Sequence, residues 1–203
     1  MKLKINAICD RGTTREDNED LVSVGGIMLR GSKLSTEVEF SGRHPYYLLL
    51  ADGMGGHEKG ELASAMTLEH LRDCFTMEDM ETESFADDMT RSVQYISYKI
   101  NAIARYEGQS HPMGCTLTGM VWQDGRTWLV NAGDSRTYLF RDGIVEQLTV
   151  DEENGNELLA YNNTASNGYN TTHTVTIPAD LKPGIYRLRT KVDWESTDPA
   201  GNA

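Results

Sequence analysis

Asp52 ends a short apolar run, Tyr46-Tyr47-Leu48-Leu49-Leu50-Ala51, and is followed by Gly53-Met54-Gly55-Gly56-His57. The run reads as a buried strand, and the glycines let the backbone turn sharply and approach a ligand closely. A carboxylate beside a backbone carbonyl at such a turn offers two oxygen ligands to a hard divalent cation. Taken alone, the stretch also reads as a tight turn with a solvated aspartate, since short glycine-rich motifs carry little specificity.

Three further stretches change that balance. Arg15-Glu16-Asp17-Asn18-Glu19-Asp20 lies upstream, after Cys9-Asp10-Arg11-Gly12. The central run continues as His57-Glu58-Lys59-Gly60-Glu61-Leu62-Ala63-Ser64. Downstream, Gly114-Cys115-Thr116-Leu117-Thr118 precedes Asn131-Ala132-Gly133-Asp134-Ser135-Arg136. In this order and spacing, roughly residues 4 to 151 resemble the metal-dependent serine/threonine protein phosphatases, the PPM or type-2C family, in its bacterial form.

The resemblance implies a two-metal centre that lowers the pKa of a shared water and positions it for in-line attack on phosphorus. It implies that Asp52 bridges the ions, that the Gly53 carbonyl coordinates one, and that Glu19 ligates the other directly or through water. Asp20 would hold a water beside the ions, and Asp134 matches the position that takes a third, weaker ion in bacterial members. Manganese or magnesium suits such all-oxygen ligation. Arg15 would grip the phosphoryl oxygens with its planar fork. Plainer readings stand beside these: Arg15 in surface ion pairs, Glu19 and Asp20 in a solvated loop, Asp134 as a turn residue bonding its own backbone. His57 reads as a helix start rather than a general acid, because members with a histidine directly after the Asp-Gly pair place it where Met54 stands.

Alternation predicts a strand over Leu3–Ile8, a further strand over Leu21–Leu29, and a polar hairpin or loop from Gly31 to Arg43. Helical spacing follows from Glu58 to Phe75, with Leu62, Ala65, Met66, Leu68, Leu71 and Phe75 as the apolar face, and again from Ser84 to Tyr106. Leu117–Trp122, Thr127–Asn131, Arg136–Phe140 and Val145–Leu148 read as strands, with Asp124-Gly125 and Asp142-Gly143 as hairpin turns. Strands, two helices, then strands indicate an α+β fold. The resemblance sharpens this to a β-sandwich flanked by paired antiparallel helices.

The 203 residues suffice for one domain, or one plus a fragment. A net charge of -12 argues against a nucleic-acid or anionic-membrane surface. Cys9, Cys74 and Cys115 have no close pairing, which fits reduced thiols in a cytosolic protein. The N-terminus lacks the apolar core of a signal peptide.

The family pattern continues past Asp151 with an Asp-Gly segment and an Asp-Asn pair that complete the metal ligation; neither is found in 152–203. The chain thus divides into an incomplete phosphatase-like domain, 1–151, and a β-rich tail, 152–203. The tail holds a candidate hairpin around Lys182-Pro183-Gly184 that is similar to part of the GEVED β-sandwich modules. Three functions remain open. The first is hydrolysis of phosphoserine and phosphothreonine on proteins, with a serine/threonine kinase and its targets as plausible partners. The second is a catalytically silent phosphatase-like binding or regulatory domain. The third is a secreted adhesion fragment.

Overall fold

The computed structural model describes residues 2–40, 44–55, 58–76, 84–106, 113–123 and 125–149. Its centre is a five-stranded antiparallel sheet of order β3-β2-β5-β8-β9. The strands are β2 (Leu21–Val24), β3 (Ile27–Leu29), β5 (Tyr46–Ala51), β8 (Leu117–Gln123) and β9 (Arg126–Ala132). The two-residue period of β5 explains the layering. Tyr47, Leu49 and Ala51 join one core with Leu68 and Leu71 of α1 (Glu58–Thr76) and with Phe85, Met89, Ile96 and Ile100 of α2 (Phe85–Tyr106). Tyr46 and Leu48 face a second core with Ile5, Cys9, Val24 and Leu29.

That second core is closed by β1 (Lys2–Cys9) and β4 (Ser32–Glu39), which pair antiparallel from Lys2↔Glu39 to Cys9↔Ser32. The fold is α+β: helices cover one face of the central sheet and a β-ribbon covers the other. Two short pairs complete the described structure. β6 (Gly53–Met54) pairs with β7 (Gly114–Cys115), and β10 (Tyr138–Arg141) pairs with β11 (Ile144–Gln147). Among the described residues no helix is long and apolar enough to cross a membrane.

Three expectations need correction. The single strand over Leu21–Leu29 is two strands, folded back at Gly25-Gly26, whose φ values of +54° and +93° only glycine adopts freely. The expected loop after Gly31 contains β4, an eight-residue strand. It has few apolar residues because only Leu34 and Val38 reach the second core, and its other face is wet. Leu62 is 42% exposed and does not belong to the α1 core face, which runs through Ala63, Thr67, Leu68, Leu71 and Phe75. The 152–203 tail, its hairpin and the 151/152 division lie outside the described residues, as do His57, His111 and His173.

The layering sets an expected contrast in stability. Leu49 is 1% exposed on the central strand, so Leu49→Ala costs about 2–5 kcal/mol through lost burial and a residual cavity. Leu62→Ala stays within ~0.5 kcal/mol. Urea denaturation of the two variants against the parent chain measures the difference.

Candidate active site

Asp52 sits where β5 leaves the central sheet, and its backbone is fixed in both directions by one residue. Its N–H donates to Thr116 Oγ1 at 3.2 Å, and Thr116 N–H donates to the Asp52 carbonyl at 2.9 Å. Thr116 Oγ1 lies 2.6 Å from Ser135 Oγ, both side chains being buried. Ser135 follows Asp134, so this chain of bonds carries the Asp134 loop to the strand that bears Asp52. Sequence reasoning quoted Thr116 and Ser135 within their motifs but gave them no role. Ser135 directly after Asp134 was the available signal, and Thr116 had none.

Glu19 and Asp20 arrive from the loop before β2. Asn18 shapes that loop: its Oδ1 accepts from Asp20 N–H at 3.0 Å, and its Nδ2 donates to Cys9 Sγ at 3.3 Å. The first turn of α1 then presses on the same loop. A Cβ added to Gly53 would lie 2.1 Å from the Gly60 carbonyl oxygen and 2.7 Å from that of Glu19. A Cβ added to Gly60 would lie 1.9 Å from Glu19 Oε2. Any side chain at either position would therefore separate the helix, the Asp52 strand and the Glu19 loop. Gly60 was not singled out from the sequence, and its place within the Asp52-to-Ser64 run was the only hint.

Four of the sequence candidates share one electrostatic field. Burial pushes the Asp52 carboxyl up from 3.8 to about 8. The charge of Asp20, a hydrogen bond that protonated Asp52 donates to its side chain and the charge of Asp134 add to this, while Arg15 opposes them. Asp20, Asp52, Asp134 and Arg15 are thus together, with Glu19 against Gly60 and the Gly53 backbone alongside. The neighbouring negative charge disfavours ionisation of Asp52, and a cation would relieve this. The donor set therefore fits a hard divalent ion. Among the described residues no group of three or more His, Cys, Asp or Glu is arranged so that its side chains alone could hold a metal ion. Backbone carbonyls and waters must complete any coordination, as Mg²⁺ and Mn²⁺ chemistry allows.

Two other reactive groups, Cys115 opposite Gly53 and His70, are taken up by packing. Burial pushes the Cys115 thiol up to about 12, and it lies 3.2 Å from Thr67 Oγ1. A thiol in that state is no nucleophile. His70 is lowered by burial and packs its ring on Tyr95, centroids 5.2 Å apart, a packing role consistent with its lack of partners in sequence.

The raised Asp52 pKa has a defined signature in metal-free protein. Unfolded chain ionises this group near 3.8 and folded chain near 8, so between those values the folded state binds more protons. Stability is greatest below the lower value, falls as pH rises, and levels off above the upper one. Asp52→Asn removes that fall. At pH 8 in chelator it is more stable than the parent by at least ~1.4 kcal/mol, the equivalent of one pH unit. Urea denaturation at pH 5 and pH 8 checks both statements.

Residues 39–180 match the family model described as Protein phosphatase 2C, a span that continues beyond Asp151. The serine/threonine phosphatase stp of Listeria innocua is 32% identical over 152 residues, covering 74% of this chain and 55% of that protein. The serine/threonine protein phosphatase PstP of Mycobacterium tuberculosis is 35% identical over 153 residues, 74% of this chain and 25% of that protein. The chain therefore spans about half or less of the length of these curated relatives. The crystal structure of M. tuberculosis PstP superposes with a TM-score of 0.56 at 32% identity, over 74% of this chain and 55% of that one. The catalytic domain of PstP in complex with two manganese ions gives the same TM-score and identity, over 57% of that chain. By motif order, fold and these matches, the chain belongs to the protein phosphatase 2C family.

Proposed function

We propose that this chain hydrolyses phosphoserine and phosphothreonine esters on proteins at the Asp52 cluster, using two Mn²⁺ or Mg²⁺ ions. The observation that carries the reading is the gathering of Asp20, Asp52 and Asp134 into one field with Arg15 beside them. Relatives named as serine/threonine phosphatases support the substrate class. The manganese-bound structure of one of them supports the metal.

When bound, the divalent ions supply a nucleophile from water at neutral pH and offset charge on the phosphoryl group. Asp52, fixed to β5 and Thr116, would hold the ions together with the Gly53 carbonyl and Glu19. Asp20, beside Asp52, would hold and orient water around the ions. Asp134 adds negative charge where a further, weaker ion would sit. Arg15 is exposed and its charge reaches Asp52, which supports a role in holding phosphoryl oxygens. The net charge of -12 would repel an acidic phosphoprotein, and Arg15 with the cations reverses that field locally. Phosphorylated proteins, including a serine/threonine kinase and its targets, are the proposed partners. The free state of Cys9, Cys74 and Cys115 supports a cytoplasmic setting, and the acidic surface speaks against nucleic acid or membrane as partner.

The test is hydrolysis of p-nitrophenyl phosphate and of a phosphothreonine peptide by the 203-residue chain, with Mn²⁺ and with chelator. Turnover requires Mn²⁺, and Asp52→Asn lowers kcat by about 100-fold or more. Arg15→Ala raises KM for the peptide by about 10- to 100-fold, the equivalent of one charge-assisted contact, while Mn²⁺ affinity is unchanged. Folded protein that binds Mn²⁺ and the phosphopeptide without turnover would instead identify a silent phosphoprotein-binding domain.

A further inference from the structure

Arg30 directly follows β3 and reaches α1 at Glu61 and Ser64, and none of the functional motifs contains it. Its side chain is only 20% exposed, and its fork is divided between two tasks. Nη1 forms an ion pair with Glu61 Oε1 at 2.5 Å. Nη2 donates to the Glu61 carbonyl at 3.1 Å and to Ser64 Oγ at 2.9 Å. Ser64 is fully buried, and its hydroxyl donates onward to the Glu19 carbonyl at 2.6 Å.

The direction of these bonds matters. Arg30 can only donate, so Ser64 Oγ accepts from it and its single proton is free to point at Glu19. The alternative acceptor for that proton, the Glu61 carbonyl at 3.1 Å, is already bonded by Nη2. A charged donor polarises the hydroxyl and strengthens the bond it passes on. Glu19 is thereby gripped at its carbonyl by Ser64, while its carboxylate lies against Gly60, one residue before Glu61. Burial depresses the Arg30 pKa, and the nearby charges of Cys9, Asp20 and Glu19 oppose this, which puts the guanidinium beside the whole loop.

We propose that Arg30 is a positioning residue for the metal-binding loop: through Ser64 and Glu61 it locks Glu19 and Asp20 in register with the first turn of α1. The proposal rests on the metal-binding reading above for its consequence, but not for its geometry. A lysine could keep the charge, yet its single nitrogen cannot serve the Glu61 carboxylate together with the Glu61 carbonyl and Ser64, as the two nitrogens of the arginine fork do. Loss of partners that orient ligands from behind typically weakens metal binding by about 10- to 100-fold.

The experiment uses the 203-residue chain and its Arg30→Gln, Arg30→Lys, Ser64→Ala and Arg30→Gln/Ser64→Ala variants. Two readouts are taken: backbone hydrogen exchange without metal, and Mn²⁺ affinity by electron paramagnetic resonance titration. Arg30→Gln, Arg30→Lys and Ser64→Ala each speed exchange over residues 16–22 and weaken Mn²⁺ binding about 10-fold, with exchange over 117–132 unchanged. The double variant is no worse than its worse parent, because both changes break one relay. Uniformly faster exchange in all segments, or Arg30→Lys behaving like the parent chain, would overturn the proposal. A parent chain that binds no Mn²⁺ would sink the metal reading, while exchange over 16–22 would still decide the role of Arg30.

Discussion

The contact on which this site depends is backbone against backbone. Helix α1 starts so close to the Asp52-Gly53 segment that neither Gly53 nor Gly60 has room for a methyl group. Because the helix comes that near, the loop bearing Glu19 is caught between its first turn and the strand end. The Glu19 carboxylate fills the space that a Gly60 side chain would take. Everything else in the site inherits its position from this approach. Ser64, one helical turn onward, reaches the Glu19 carbonyl, and Arg30 reaches both Ser64 and Glu61 from behind.

The same compactness creates an electrostatic problem. Asp20, Asp52 and Asp134 come from three separate segments, and the fold brings the charges of the other two near enough to disfavour ionisation of Asp52. The scaffold bears this through neutral bonds that fix the backbone rather than the charge. Thr116 holds Asp52, Ser135 holds Thr116, and Asn18 holds Asp20. Stability given up at such a cluster is the usual cost of a site built to receive a cation. The hydrophobic layers on both faces of the central sheet offset it, since Tyr47, Leu49, Val121 and the helix faces are almost fully withdrawn from water.

Much of the scaffold was legible along the chain because its signals are local. The period-two pattern of β5 and the three- and four-residue steps of α2 report burial directly, and both elements lie where the sequence puts them. The failures have physical causes. The strand β4 faces water on one side and contributes only Leu34 and Val38 to the core, so its sequence resembles a loop. The Gly25-Gly26 turn hides inside an apolar run whose two halves pair with each other. Leu62 fits the helical spacing, yet the helix is rotated to put Ala63 in the core and Ser64 against the Glu19 loop, which leaves Leu62 exposed.

By itself the sequence determined the family, through the order of its Arg15-to-Asp20, Asp52-to-Ser64 and Gly133-to-Arg136 motifs, and with it the α+β class and the identity of the acidic candidates. Those are properties of residue type and spacing, and they survive without coordinates. Only the tertiary structure decided which carboxylates share a field, that Thr116 and Ser135 tie two of their segments together, and that Arg30 stands behind Glu19. These contacts join residues 19 to 64 positions apart, across sheet and helix, and no local pattern records them. Their cause is chain geometry: two glycines let a helix settle onto a strand end, and the groups brought face to face then fix the chemistry.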